Sequence, residues 1–210
     1  MNKTFYWSFV VVIVAAFMSS CSSKVVEDHK VAAPMQPLNC IAVVPAVTSV
    51  DKDETVRYEE AKALEKGAAF ATAVLTAKLG SNERVRVLNS AQVSALLTGV
   101  TGGRVGTVSA LGDKVNCDGI LLTTVSKFRQ RQGTGLAVDT PASASFQMVL
   151  KHAENGNVLW ATNFEETQES LLSNIFSFRK AQKRGFKWIT VEELMEQGID
   201  EKLQNCPYLK

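Results

Sequence analysis

The sequence predicts an α/β fold: a single three-layer-like domain with a mixed β-sheet flanked by helices, plus a C-terminal helical extension. Between residues 41 and 128, short apolar runs typical of strands alternate with longer segments of helical periodicity. Two further runs, at 142–152 and 157–165, are joined by an Asn-Gly turn and predict a β-hairpin. A β-α-β-α-α-β order followed by a hairpin indicates a mixed sheet covered by helices.

Composition marks the first strand and the first helix. Residues 41–47 (IAVVPAV) form a short apolar run, which is consistent with a strand buried on both faces. Residues 56–79 are rich in alanine and carry larger apolar side chains near helical spacing, so they predict a long helix. The following Gly80-Ser81-Asn82 is expected to end it.

The middle of the chain predicts two more strands and two helices. Residues 85–89 (VRVLN) are the second predicted strand, and Ser90 is the expected N-cap of the helix that follows. A glycine-rich turn at 101–106 leads into a short helix that ends near Val115. Residues 119–128 (GILLTTVSKF) are the third predicted strand.

Alternation predicts the hairpin. Residues 142–152 alternate between apolar and polar side chains, as expected for an antiparallel strand with one face in the core. The return strand is expected to place Val158, Trp160 and Phe164 on one face.

The start of the chain is typical of a secretory signal. Lys3 supplies a positive charge, and the apolar stretch from Phe5 to Phe17 is shorter than the roughly 20 residues that span a bilayer as a helix. The small residues Ser19 and Ser20 follow it. This pattern predicts export from the cytoplasm.

The segment Met18-Ser19-Ser20-Cys21 resembles the bacterial lipobox. In that family the cysteine thiol receives diacylglycerol, the peptide is cut before the cysteine, and the new amino terminus is acylated. The resemblance implies that Cys21 is lipidated and attaches the protein to a membrane. Ser22 and Ser23 resemble the outer-membrane sorting pattern. An uncleaved anchor or an ordinary signal peptide is the alternative.

The predicted chain has four parts. They are a signal peptide (1–20), a lipidated flexible tether (21–39), a periplasmic α/β domain (40–165) and a C-terminal helical extension (166–210). The tether contains Pro34 and Pro37 and lacks sustained periodicity. In the extension, Thr190 and Glu193 have the spacing of a capping box, which predicts a helix running to about Gln204.

Three cysteines remain if Cys21 is lipidated, and the oxidising periplasm favours one disulfide and one thiol. The sequence allows three pairings. Cys40 precedes the first strand and Cys206 lies near the C-terminus, so we expect a Cys40–Cys206 disulfide that joins the two ends of the domain. Cys117 is then expected to be a small buried residue before a strand.

Charge and motifs exclude several functions. The net charge is +2 and falls to +1 when Lys3 is removed with the signal peptide, which does not indicate nucleic-acid binding. The two histidines, His29 in the tether and His152 at a strand end, have no evident partner for a catalytic triad or a zinc site. The glycine-rich turns match no nucleotide-binding pattern. We therefore predict no enzyme activity, cofactor, metal or small-molecule substrate.

A basic and aromatic cluster in the extension is a candidate contact surface. Its members are Arg179, Lys180, Lys183, Arg184 and Trp188. Anionic headgroups, peptidoglycan carboxylates or a partner are candidate targets. A solvated basic face with inward-packed aromatics, or a subunit interface, explains the same residues. A smaller basic group comprises Lys127, Arg129 and Arg131 at a strand end.

Three short motifs resemble those of known periplasmic lipoproteins. They are IAVVPAV at 41–47, Cys117-Asp118-Gly119 before the third strand, and Gly156-Asn157-Val158-Leu159-Trp160 in the hairpin. The similar families are those of the curli secretion lipoprotein CsgG, the TolB N-terminal domain, the penicillin-binding-protein activator LpoB and the exopolysaccharide lipoprotein PelC. The resemblance covers about residues 40–165. Ala46 replaces the phenylalanine usual there, and the long membrane-inserting strands of the curli pore are not evident.

The resemblance implies a non-enzymatic outer-membrane lipoprotein whose domain faces the periplasm. It implies a binding or assembly module, either self-assembling or bound to an envelope protein, such as a subunit of a secretion or polysaccharide-export assembly. The alternative is a monomeric activator or adaptor of a periplasmic cell-wall enzyme. Asp118 is expected to cap the adjacent helix or line a central channel, and the structural role is favoured.

Overall fold

The computed structural model describes residues 37–49, 57–101, 103–133, 138–168 and 189–210. In these ranges the elements are, in chain order, β1 (Ile41–Val43), β2 (Val47–Thr48), α1 (Tyr58–Leu79), β3 (Val85–Val87), α2 (Ser90–Leu97), α3 (Gly103–Val115), β4 (Gly119–Arg129), β5 (Gln132–Gly133), β6 (Val138–Thr140), β7 (Ser143–His152), β8 (Val158–Thr167) and α4 (Val191–Gln204).

Six of the described strands form one mixed sheet in the order β3-β1-β4-β7-β8, with β2 also paired to β4. Strands β3, β1 and β4 are parallel, whereas β7 and β8 are antiparallel to their neighbours. Strands β5 and β6 form a separate two-stranded ribbon. The predicted α/β class with a mixed sheet is confirmed.

Helices α1 and α4 cover one face of the sheet. Their buried side chains, such as Leu75 of α1 and Ile199 of α4, pack with Phe146 and Met148 of β7 in one core. Phe146 also stacks on Phe164 of β8, with ring centroids 5.0 Å apart. The main core therefore lies between this face and the two helices.

Helix α4 is part of this core, although it lies in the segment predicted as an extension. Val191, Leu194, Met195 and Ile199 have no exposed surface. The helix begins at the predicted capping box, where the Thr190 hydroxyl accepts a hydrogen bond from the Glu193 backbone N–H. The boundary placed at residues 165 and 166 stays a prediction, but the last helix packs with the elements before that boundary.

Helices α2 and α3 lie on the opposite face, which completes three layers. Val108, Leu111 and Val115 of α3 share a second core with Ala42 and Ile120 of the sheet. Helix α2 contributes only partly buried side chains, so α3 supplies most of the helical packing on this face.

The N-cap of α2 is Asn89 and not the predicted Ser90. The Asn89 side chain accepts a hydrogen bond from the Gln92 backbone N–H, and the Gln92 side chain accepts one from the Asn89 N–H. This reciprocal capping box satisfies two backbone donors at once, which a serine cap one residue later does not provide.

Two strand predictions also change. The predicted strand 41–47 divides at Pro45, after which the Ala46 N–H donates to the Thr72 hydroxyl of α1 rather than to a strand. In the hairpin, Val158 pairs with Lys151 and Trp160 with Leu150 across a register shift. This irregularity leaves Val158 58% exposed, so it does not share the face of Trp160 and Phe164 as predicted.

Candidate functional site

The chain enters the domain through a cluster of contacts at one end of the sheet. Residues 38–40, which precede β1, meet residues 117–119, where β4 begins; we call these six residues the entry clasp. Strands β1 and β4 are parallel neighbours, with Ile41 opposite Gly119. Parallel pairing in this register brings the two preceding segments together.

The clasp contains a disulfide between Cys40 and Cys117, whose Cα atoms are 4.5 Å apart. The predicted Cys40–Cys206 pairing is therefore wrong. The reason is topological, because adjacent parallel strands beginning at the same end place the residues before them within the distance a disulfide needs. Cys117 is buried as predicted, but as half of this bond.

Asp118 binds the chain at Asn39, one residue before the disulfide-bonded Cys40. Its carboxylate accepts a hydrogen bond from the Asn39 backbone N–H at 2.7 Å. The backbone N–H groups of Asp118 and Gly119 both donate to the Cys40 carbonyl, each at 3.1 Å. The predicted structural role of Asp118 holds, although the group it caps is the entering chain and not a helix.

Leu38 completes the clasp on the side of the main core. It is 7% exposed and lies over Gly119, where a Cβ atom would stand only 2.8 Å from Leu38 Cδ1. Glycine at this position therefore leaves room for the leucine. The contacts of the chain with the domain thus extend two residues beyond the disulfide.

Cys206, the remaining described cysteine, is a buried free thiol after α4. Burial raises the pKa of this thiol, although hydrogen bonds from the Tyr208 and Leu209 backbone oppose the shift. A protonated, buried thiol is a poor nucleophile. Cys206 is therefore a packing residue.

The opposite end of the sheet carries the smaller basic group. Lys127 donates to Glu165 at 2.8 Å, and this hydrogen bond lowers the pKa of the glutamate. Arg129 is exposed, whereas Arg131 is partly buried and makes an interaction of its own. The charge of Lys127 is thus compensated by Glu165, and the group is not a uniform basic patch.

Gln130, which the sequence analysis did not single out, joins this end of the sheet to α4. Its side chain donates to Glu192 at 2.9 Å and accepts from the Val191 backbone N–H at 3.2 Å. Burial raises the pKa of Glu192, but hydrogen bonds from Lys66, its own backbone and Gln130 outweigh this effect and hold the pKa below its ordinary value. A glutamine after a strand gives no sequence signal for this role.

The strands β7 and β8 expose side chains on the face of the sheet that points away from α1 and α4. Three exposed side chains mark it: Gln147 of β7 with Ala161 and Asn163 of β8. Partly buried Val149 lies on the same face, opposite Leu122 of β4, which packs against the second core. Polar and apolar side chains thus lie in register on this part of β7 and β8, where they are open to contact.

Three further features of the described residues bear on function: a histidine, metal binding and membrane-spanning helices. His152 ends β7, and its Nδ1 is buried without a hydrogen-bond partner in the part of the chain that the structure describes. In the same ranges, no group of three His, Cys, Asp or Glu residues is arranged to hold a metal ion. None of the helices α1 to α4 combines the length and apolar character needed to cross a bilayer.

Two predicted sites lie outside the described residues. One is the lipidation site, Cys21. The other is the basic and aromatic cluster of Arg179, Lys180, Lys183, Arg184 and Trp188. Both stay predictions.

No protein-family model and no curated protein matches the chain. Similar solved structures include a PelC dodecamer from Paraburkholderia phytofirmans, at 16% identity and a TM-score of 0.43, over 81% of this chain and 89% of that chain. Lipoprotein GNA1162 from Neisseria meningitidis is similar at 16% identity and a TM-score of 0.41, over 70% of this chain and 94% of that chain. The LpoB C-terminal domain from Salmonella enterica is similar at 14% identity and a TM-score of 0.34, over 65% and 88%.

PelC and LpoB are among the lipoproteins whose motifs the sequence resembles. The resemblance to CsgG and to the TolB N-terminal domain stays a prediction. Because these identities and TM-scores are low, the function of this chain has to be argued from its own residues.

Proposed function

We propose that this chain is an exported lipoprotein of the outer membrane, whose α/β domain binds protein partners or copies of itself in the periplasm without catalysing a reaction. The observation that carries the proposal is the Cys40–Cys117 disulfide. Such bonds persist in oxidising compartments and are rare in the cytosol. The disulfide closes the domain directly after a sequence with the features of a signal peptide, a lipobox and a tether.

The anchor in this proposal is Cys21. One acyl chain gives only marginal membrane binding, so the three chains implied by the lipobox resemblance account for firm attachment without a transmembrane helix. Between Cys21 and the first described residue, Pro37, lie residues 22–36. At full extension they reach about 50 Å, which is enough to hold a domain clear of the membrane surface.

Partner binding is proposed for the exposed face of β7 and β8. Exposed Gln147 and Asn163 offer amide donors and acceptors, and Val149 beside them offers apolar contact. Such a mixture of polar and apolar groups is typical of non-obligate protein interfaces. A nucleophile paired with a base, which covalent catalysis by an activated side chain would require, is not among the residues that the sequence singles out.

Fractionation of cells tests the anchor. The native protein is expected in the outer membrane, with an acylated peptide beginning at Cys21 by mass spectrometry. Cys21→Ala should block both processing and attachment, whereas the matched variant Ser22→Ala keeps the thiol and should retain both. Unchanged processing and membrane attachment of Cys21→Ala would contradict the proposal.

Light scattering of the detergent-extracted native protein distinguishes the two forms of binding. A discrete assembly of many subunits would support a structural component of a secretion or export assembly. A monomer would support the activator or adaptor, and crosslinking in cells would then be expected to capture one envelope protein. The variants Gln147→Arg and Asn163→Arg should abolish whichever association is found, while the same change at exposed Glu154 should leave it intact.

A further inference from the structure

The entering chain is fastened at three consecutive residues before β1 begins. Leu38 is buried over Gly119, the Asn39 N–H is bonded to the Asp118 carboxylate, and Cys40 is joined covalently to Cys117. The Cys40 carbonyl accepts two further hydrogen bonds. The chain is therefore held by a covalent bond, three hydrogen bonds and an apolar contact before its first strand begins.

Strand β1 alone would be a weak point of attachment. It has three residues, Ile41–Val43, paired to β3 on one side and β4 on the other. A pull on the preceding chain would load those few hydrogen bonds and the side chains packed behind them. If they yielded, the residues between the two cysteines could be drawn out of the domain.

The disulfide provides a second path for such a load. From Cys40 it leads to Cys117 and then into β4, which has 11 residues and pairs with β7 along most of its length. Asp118 also connects this path to the β7–β8 hairpin, because its carbonyl accepts a hydrogen bond from the Ala153 N–H at 2.7 Å. A load entering at Cys40 is therefore divided among β1, β4 and the hairpin.

We propose that the entry clasp is a load-transmitting device, which passes tension from the preceding chain into β4 and so keeps the domain folded when it is pulled against its anchor. The proposal rests on the proposed function in one respect, because it takes that chain to be the membrane tether. The mechanical property itself belongs to residues 38–40 and 117–119 and does not depend on lipidation.

Optical tweezers can test the clasp on the unlipidated chain from Ser22 to Lys210. One handle is attached at Ser22 and the other at exposed Asn163 of β8, through an unnatural amino acid that adds no cysteine. With the disulfide intact, we expect high unfolding forces and no release of residues 41–116. In Cys40→Ser/Cys117→Ser, we expect a lower first unfolding force and about 270 Å of additional released length for the sequence separation of 77.

A second pulling geometry separates load transmission from general stabilisation. With handles at Asn163 and Lys210 the clasp is off the path, so the double variant should lose clearly less unfolding force than in the first geometry, because only its lower overall stability acts there. An equal loss of force in both geometries, or no loss in the first, would overturn the proposal. If the double variant does not fold, reducing the folded native chain with a phosphine under the tweezers makes the same comparison. Cell fractionation tests the lipid anchor independently, so failure of the proposed function can be distinguished from failure of the load-transmitting role.

Discussion

Gly198 brings helix α4 into direct contact with the ring of Phe164. A Cβ atom at position 198 would lie 2.7 Å from both Cε2 and Cζ of that ring, closer than side chains approach one another. Glycine inside a helix costs about 1 kcal/mol relative to alanine. Its presence in α4 is therefore explained by close packing on β8 and not by helix propensity.

The variant Gly198→Ala should be less stable in spite of its better helix propensity. Phe164 is 6% exposed and stacked on Phe146, so its ring has little room to move away. Overpacking of a filled core typically costs about 1–3 kcal/mol, so after the gain of about 1 kcal/mol in helix propensity we expect a net loss of up to about 2 kcal/mol by urea denaturation.

A compensating variant isolates this contact. Phe164→Leu leaves a smaller side chain under position 198, so Gly198→Ala should cost less in that background than in the native chain. Equal costs in both backgrounds, or a native-background Gly198→Ala that is more stable than the native protein, would show that the packing explanation is wrong.

Loss of the disulfide should destabilise the domain strongly. The bond spans a sequence separation of 77 residues, for which the chain-entropy model gives about 4.5 kcal/mol. Chemical denaturation of Cys40→Ser/Cys117→Ser should show a loss of this order. A phosphine reductant should lower the stability of the native protein and leave the double variant unchanged. A reductant effect of equal size on both proteins would contradict the pairing.

Thiol labelling gives a direct check on which cysteines are paired. The unlipidated chain from Ser22 should take up one iodoacetamide label, at Cys206, and only after unfolding, because burial holds that thiol protonated and out of contact with solvent. Peptide mapping without reduction should recover Cys40 and Cys117 joined. A label on Cys117, or labelling of the folded protein at pH 8, would refute this arrangement.

Local sequence signals predicted much of the fold. The capping box of Thr190 and Glu193 depends on side chains three residues apart, and the hairpin turn on adjacent Asn155 and Gly156. Both are confirmed because the interacting groups are close along the chain. The alternating pattern of β7 likewise identified its buried face, including Phe146, because successive side chains of a strand point to opposite faces.

Two of the predictions that failed depend on how the strands pair, whereas the cap of α2 differs from its prediction by one residue. The partner of Cys40 follows from β4 lying beside β1 with both strands beginning at the same end, which no local pattern encodes. The exposure of Val158 follows from a register shift in the hairpin. Of the candidate site, Asp118 was identified from its position before a buried strand. Its partner, the Asn39 backbone, belongs to the incoming chain and required the fold.

Asp118 should stabilise the attachment of the chain at Asn39, the residue before the disulfide-bonded Cys40. Asp118→Ala removes the acceptor of the Asn39 N–H, and loss of a hydrogen bond to a charged group typically costs about 1.5–3 kcal/mol. We expect faster hydrogen exchange at residues 39 and 40 with the disulfide still formed. Asp113→Ala, which removes an exposed carboxylate of nearby α3, should leave exchange there unchanged. Faster exchange in both variants would show that the carboxylate of Asp118 has no particular role.

Acid should weaken the junction between α1, β4 and α4 through Glu192. Its carboxylate accepts from Lys66 at 2.8 Å and from Gln130 at 2.9 Å, and its pKa lies below the ordinary 4.5 because these bonds outweigh the effect of burial. A carboxylate whose pKa is lower in the folded than in the unfolded chain contributes stability above the unfolded value. That contribution is lost as the pH falls through the folded value.

The variant Glu192→Gln should therefore be less stable than the native protein at pH 7, and the difference should shrink between about pH 5 and pH 3. Because Lys66 is largely exposed, we expect an effect below about 1 kcal/mol at pH 7. The matched variant Glu154→Gln removes an exposed carboxylate from the β7–β8 turn and should follow the native pH profile. Urea denaturation across this pH range makes the comparison. A constant difference between Glu192→Gln and the native protein would mean that the Glu192 charge contributes nothing to folding and that the glutamate acts only through its shape.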